Sequence, residues 1–145
     1  SGSKHRYGMA ADWRLVDRSI NPVALGIIAT QYFKAVGIYW YDGCAIVHTD
    51  TRDAKATWLC DAPRHYPSTT YQKFILPTIR RGCTGGANST ATKMLQRLLG
   101  LTPDGIFGEG TENALLKAQE AHGLTVDGIC GPASWKAISG ASKYL

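Results

Sequence analysis

His5, Asp12, His48 and Asp50 are the residues of this chain whose types and spacing point to chemistry. Neutral imidazole and carboxylate are borderline-to-hard ligands, and two histidines with one aspartate leave the fourth position of a tetrahedral ion open. That is the donor pattern of a catalytic zinc site, where the ion polarises a carbonyl and brings the pKa of a water to about 7. His48 and Asp50 are two residues apart, so on a strand both face the same side. Asp50 is then expected either to support His48 from behind or to contact the reacting water. His5 and Asp12 flank Gly8 and Ala10, small residues that keep the connection between them tight.

The elements that must position these groups follow from local pattern. "AADWRLVD" alternates and predicts a strand. "NPVALGIIATQYFKAVG" predicts a helix, with Asn21 as N-cap and Pro22 as first helical residue. Its apolar residues Leu25, Ile28, Tyr32 and Phe33 recur at helical spacing, and Gly37 is the expected stop. "GIYWY", a turn at Asp42-Gly43 and "CAIVHTD" predict a hairpin carrying His48 and Asp50. The segment "CDAPRHYPSTTYQK" is rich in Pro, Ser and Thr and predicts a loop or linker. The first half therefore predicts an α+β fold, a small antiparallel sheet plus a helix.

The second half contains a repeat. "LTPDGIFGEGTENAL" (Leu101 to Leu115) matches "LTVDGICGPASWKAI" (Leu124 to Ile138) at an offset of 23 residues. Each copy predicts an Asp-Gly turn and then a helix, with Thr111 or Ser134 as the expected cap. Asp104 and Asp127 are expected to form turns and not to bind ligands. A helix over "STATKMLQRLLG" precedes them, with Met94, Leu95, Leu98 and Leu99 on one face and Gly100 as stop. The expectation is a three-helix, all-α domain over residues 76–145, following an α+β domain over 1–75.

Composition sets the outer bounds. The chain has 145 residues, enough for one ordinary domain or two small ones. Its 44% hydrophobic and 19% charged residues exclude a disordered chain. No apolar stretch approaches the roughly 20 residues that span a bilayer. A net charge of +5 favours anionic partners: cell-wall polymers, membrane surfaces or nucleic acid. Lys and Arg form no long run and no aromatic-basic motif, which argues against nucleic acid. No signal peptide is visible. Cys44, Cys60, Cys83 and Cys130 lack C-x-x-C spacing. Their even number predicts two disulfides and an oxidising compartment, the alternative being four buried free thiols in a cytosolic protein.

Two resemblances sharpen these expectations. "SKHRYGMAAD" resembles the S-x-H-x-x-G-x-A-x-D signature of zinc D-Ala-D-Ala carboxypeptidases and L-Ala-D-Glu endopeptidases, of the clan that includes lysostaphin and the hedgehog amino-terminal domain. Ser3, His5, Gly8, Ala10 and Asp12 match it. "VGIYWYDGCAIVHTDTR" is similar to that family's second signature, a G-[IV]-x-x-Y segment followed by a V-H-x-D-x-R strand. The resemblance implies that His5, Asp12 and His48 hold Zn2+ and that a peptidoglycan stem peptide or crosslink is hydrolysed. Many members carry the general base three residues before the last ligand, and Ala45 stands there in this chain. Asp50, or Asp42 from the turn, is the expected substitute. Members also carry a segment before the first signature, with an arginine for the substrate carboxylate, and only four residues precede His5. The segment is expected to be absent or supplied by a second chain, with Arg6, Arg14 or Arg52 taking over from that arginine. Pairings such as Cys44–Cys60 and Cys83–Cys130 would steady so small a half, although sequence does not choose among the three possible connectivities.

The second half resembles the peptidoglycan-binding domain of many cell-wall hydrolases, through "IRRG", "LQRLLG", "DGIFGEGT" and "ALLKAQEAHGLTVDGICGPASW". Together the resemblances imply a secreted or phage-type zinc peptidase that works outside the cell or in the wall. The alternative is a catalytically inactive peptidoglycan-binding protein that keeps the zinc fold.

Overall fold

Asp42 and Gly43 form a two-residue turn, with Gly43 at φ 74°, a left-handed conformation that suits glycine. The turn joins β2 (Ala35–Tyr41) to β3 (Cys44–Asp50) as an antiparallel hairpin. Two further strands, β1 (Ala10–Trp13) and β4 (Ala56–Cys60), complete a sheet of order β1-β3-β2-β4. β4 runs parallel to β2, so the sheet is mixed and not the antiparallel one expected. The computed structural model describes residues 3–17, 19–63 and 74–145. The chain divides into two compact units, Ser1–Ile75 and Leu76–Leu145. Most of the expected linker, residues 64–73, lies outside the described residues.

In the first unit, α1 (Pro22–Ala29) starts as its cap residues dictate. Asn21 Oδ1 accepts the Ala24 N–H at 2.9 Å, and Pro22 occupies the first turn. The helix is shorter than its apolar run suggested. It ends at Ala29, where the Thr30 hydroxyl donates to the Ile27 carbonyl at 2.7 Å and tightened turn bonds follow. Gly37, expected to stop the helix, lies inside β2, and Tyr32 is exposed. The helix buries Val23, Ala24, Gly26 and Ile27. At Gly26 a Cβ would overlap the side chain of Ile38 on β2, so the missing side chain sets how closely helix and sheet approach. Val36, Ile38, Val47 and Leu59 are buried on this face.

Strand register then places the chemistry on the other face. Asp12 pairs with His48, His48 with Gly37, and Gly37 with Trp58, a single row across all four strands. The adjoining row on the same face is Ala10, Asp50, Ala35 and Ala56.

The second unit holds α2 (Gly86–Leu98), α3 (Glu109–Ala121), α4 (Pro132–Ser139) and a closing 3-10 turn at Ala141–Lys143. Met94, Leu95, Leu115 and Trp135 are fully buried, while Leu98 and Leu99 are half-buried. The repeat is reproduced atom for atom. Gln96 Nε2 donates to Asp104 Oδ1, the Ile106 carbonyl and Thr111 Oγ1 at 2.7, 3.1 and 3.0 Å. Gln119 Nε2 donates to Asp127 Oδ1, the Ile129 carbonyl and Ser134 Oγ at 2.9, 3.0 and 3.1 Å. The Gln96 and Gln119 Oε1 atoms accept the N–H groups of Gly105 and Gly128. Asp104 and Asp127 thus close turns, as their Oδ1 atoms also accept from Ile106 N and Ile129 N. Thr111 and Ser134 are not N-caps. Glycines 108 and 131 hold those positions, because the hydroxyls turn inward to meet the buried glutamines.

All four cysteines are free, contrary to the expected bridges. Cys44 and Cys60 sit on strands separated by β2, so their Cα atoms are about 9–10 Å apart at least, beyond the roughly 7 Å a disulfide tolerates. The Cys60 thiol instead donates to the Ala62 carbonyl. Cys130 is fully buried and bridges through its backbone to Ile79, which leaves Cys83 four residues away along the chain. Burial pushes the Cys130 thiol well above its ordinary pKa, so it stays protonated. Among the described residues no helix is long and apolar enough to cross a membrane.

Candidate functional site

Three segments bring His5, Asp12 and His48 together. Lys4–Tyr7 forms one 3-10 turn, and Gly8 follows at φ 66°, where its N–H bonds the His5 carbonyl. That left-handed step turns the chain into β1, so His5 folds back over Asp12. β1 pairs with β3 and sets Asp12 beside His48. The donor atoms converge: His5 Nε2 lies 3.2 Å from His48 Nδ1 and 3.5 Å from Asp12 Oδ1, and His48 Nδ1 lies 2.7 Å from Asp12 Oδ1. A tetrahedral zinc ion with bonds of about 2.0–2.1 Å needs donors roughly 3.3 Å apart, which the two His5 edges match, while the 2.7 Å edge between His48 and Asp12 is shorter, at hydrogen-bond length. Its chemistry fits as well, two imidazole nitrogens and one carboxylate oxygen on an open face where Asp12 is 52% and His5 41% exposed.

His48 is held from behind. Its Nε2 lies 3.3 Å from Asp50 Oδ2, and an Nε2–H donated there leaves the Nδ1 lone pair free for the cluster. Asp50 is buried, and Arg52 saturates it. Asp50 Oδ1 accepts from the Arg52 backbone N–H at 3.0 Å and from Nε at 2.8 Å, while Oδ2 accepts from Nε and Nη2. Burial alone would raise the Asp50 pKa. The hydrogen bonds from Arg52 and His48 and the guanidinium charge outweigh it and hold the carboxyl at about 2.

A cavity of about 410 Å³ opens on this face, lined by Ser3, Lys4, His48, Asp50, Arg52 and Trp58. Trp58 is its aromatic wall. Its ring centroid lies 5.3 Å from that of His48, and the Arg52 Cζ lies 5.5 Å from the ring. Arg52 is thus fixed by a carboxylate and an aromatic face, and among the described residues no hydrogen bond occupies its Nη1.

The other residues named from the sequence lie elsewhere. Asp42 is in the hairpin turn, beyond Cys44, which is itself four residue steps from His48, about 13 Å along β3. Ala45 is an odd number of residues from His48, so the pleat turns it to the opposite face. Arg6 and Arg14 are exposed and do not line the cavity. Lys4 and Trp58 do line it, and sequence reasoning missed both. The Lys4 position was visible as part of the first signature. The Trp58 position becomes meaningful only once β4 is registered beside Gly37.

Comparison with known proteins bears on the second unit. Residues 85–138 match the family described as "Putative peptidoglycan binding domain". No curated protein and no solved structure matches the chain. The C-terminal half therefore carries a peptidoglycan-binding domain, which ties the chain to peptidoglycan and the cell wall.

Proposed function

We propose that the N-terminal unit is a zinc-dependent peptidase that hydrolyses peptidoglycan stem peptides or crosslinks, and that the C-terminal domain delivers it to this substrate. The observation that carries the proposal is the convergence of His5 Nε2, Asp12 Oδ1 and His48 Nδ1 within 2.7–3.5 Å of one another on an open face. These three residues would hold the ion. Zinc supplies Lewis-acid polarisation of the scissile carbonyl and a water acidified to near neutral pH.

The chain's own residues have separable tasks in this scheme. Asp50 orients His48 and anchors Arg52, and its enclosure favours positioning over proton transfer. Arg52 lines the cavity, where a substrate carboxylate would meet its guanidinium in a charge-assisted bond. Hydrolysis adds water across the amide: oxygen joins the carbonyl carbon, the C–N bond breaks, and the leaving nitrogen gains a proton.

A second reading has a specific observation behind it. Position 45 carries a methyl group and faces away from His48, and Asp50 is closed off, so among the described residues no open carboxylate stands beside the donor set except Asp12 itself. That favours a peptidoglycan-binding protein that keeps the donor cluster without catalysis. Purified peptidoglycan incubated with the full chain separates the two. Peptidase action releases new amino groups, and a chelator stops the release. No release at any pH from zinc-loaded protein would exclude the peptidase and leave the binding protein.

A further inference from the structure

The half of the ligand face formed by β2 and β4 carries unusually small residues: Ala35, Gly37 and Ala56. Trp58 lies among them and is 8% exposed. A Cβ at Gly37 would overlap the Cε2, Nε1 and Cζ2 atoms of the indole. The ring therefore occupies the place where a side chain at position 37 would stand. Gly37 is the residue that separates Trp58 from His48 in the cross-sheet row, so the indole leans across it toward the imidazole. Its Nε1–H donates to the Tyr39 hydroxyl at 2.9 Å, which fixes the rotation of the ring in its seat. Glycine in a strand suits such a close approach, and the bond to Tyr39 meets an indole N–H that burial would otherwise leave unpaired.

We infer that Trp58, seated on Gly37 and pinned by Tyr39, is a positioning residue of the candidate centre. The inference rests on the zinc reading above. The indole flanks the imidazole of His48 on the side away from Asp12, at 5.3 Å between centroids and a 46° tilt. With Asp50 behind Nε2, it leaves the ring one orientation, in which Nδ1 faces the other two donors. The same indole also carries the Arg52 guanidinium over its ring, so one residue sets both a proposed ligand and the cation that lines the cavity.

Zinc affinity of the full chain, measured by competition with a chromophoric chelator, tests the inference without reference to activity. Trp58→Leu is expected to weaken binding about 10- to 100-fold, the range for loss of a residue that orients a metal ligand. Trp58→Phe keeps an aromatic ring over Gly37 but loses the Nε1–H bond to Tyr39, so its affinity is expected to fall between the wild type and Trp58→Leu. Gly37→Ala displaces the indole from its seat and is expected to match Trp58→Leu, which gives a second route should that variant fail to fold. Leu59→Ala removes a neighbouring buried side chain from the opposite face of β4 and should leave affinity unchanged well below its melting temperature. Wild-type affinity in both Trp58→Leu and Gly37→Ala, or an equal loss in Leu59→Ala, would overturn the inference. His48→Ala separates the levels. If it too binds zinc as the wild type does, the zinc reading itself fails, whereas loss in His48→Ala alone removes only the role of Trp58.

Discussion

Each unit holds a cluster of polar side chains, and the two clusters are built on opposite principles. In the C-terminal unit, Gln96 and Gln119 are 2% and 1% exposed, and each uses its amide nitrogen and oxygen on internal partners. In the N-terminal unit, His5 and Asp12 are open to solvent, and three possible donor atoms lie close to one another. Saturated, buried bonds fix a fold, because a low local dielectric makes every unmet group costly. Donors that converge near the surface do little for the fold and are suited to a guest. The contrast separates a scaffold, duplicated to stabilise two turns, from the proposed metal site.

Replacing the buried amides should break the scaffold most severely. Gln96→Leu or Gln119→Leu strands several buried partners and is expected to lower stability by about 3 kcal/mol, read by chemical denaturation. The same treatment of the other cluster has the reverse profile. His5→Ala should change metal-free stability by no more than about 0.5 kcal/mol, as for surface substitutions generally. Zinc at 100 times its Kd should then stabilise the wild-type N-terminal unit by about 2.7 kcal/mol and the variant far less, seen as a shift in its melting transition.

Smaller effects refine the comparison. Gly8→Ala meets no neighbouring atom and bears only the strain of a left-handed φ, an expected loss of about 1 kcal/mol. The carboxyls of Asp104 and Asp127 are held below their ordinary pKa by the N–H groups of Ile106 and Ile129 and by the two glutamines. A lowered folded pKa contributes stability above the unfolded value of about 3.9 and loses it as pH falls through the folded value. The C-terminal unit should therefore melt at progressively lower temperature below about pH 4, and Asp104→Asn with Asp127→Asn should flatten that acid limb. A reductant should leave the melting temperature unchanged, where loss of a disulfide would cost about 2–5 kcal/mol.

Legibility in the sequence followed the range of the interactions. Asn21 with Pro22, the Asp42-Gly43 turn and the His48/Asp50 alternation are local, and they were readable as they stand. Thr111 and Ser134 look like caps from their own neighbourhood. Their true partners are glutamines 15 residues upstream, which only the folded unit brings near. Gly37 looks like a helix stop because glycine commonly is one; its role as the seat of Trp58 depends on a parallel strand pair spanning 21 residues. β4 escaped notice because "ATWLC" adjoins a Pro- and Ser-rich stretch that dominates the local signal. The convergence of His5 with His48 is non-local too, and only the two signature motifs suggested it.

Zinc content is the most direct measurement of the central contrast. The full chain and its Gln96→Leu and His48→Ala variants would be loaded with zinc, passed over a desalting column and read by elemental analysis. One zinc per chain is expected in the wild type and in any Gln96→Leu protein that remains folded, with a sharp loss in His48→Ala. A wild-type chain that retains no zinc, or a His48→Ala chain that retains all of it, would contradict the assignment of the His5, Asp12 and His48 cluster as a metal site.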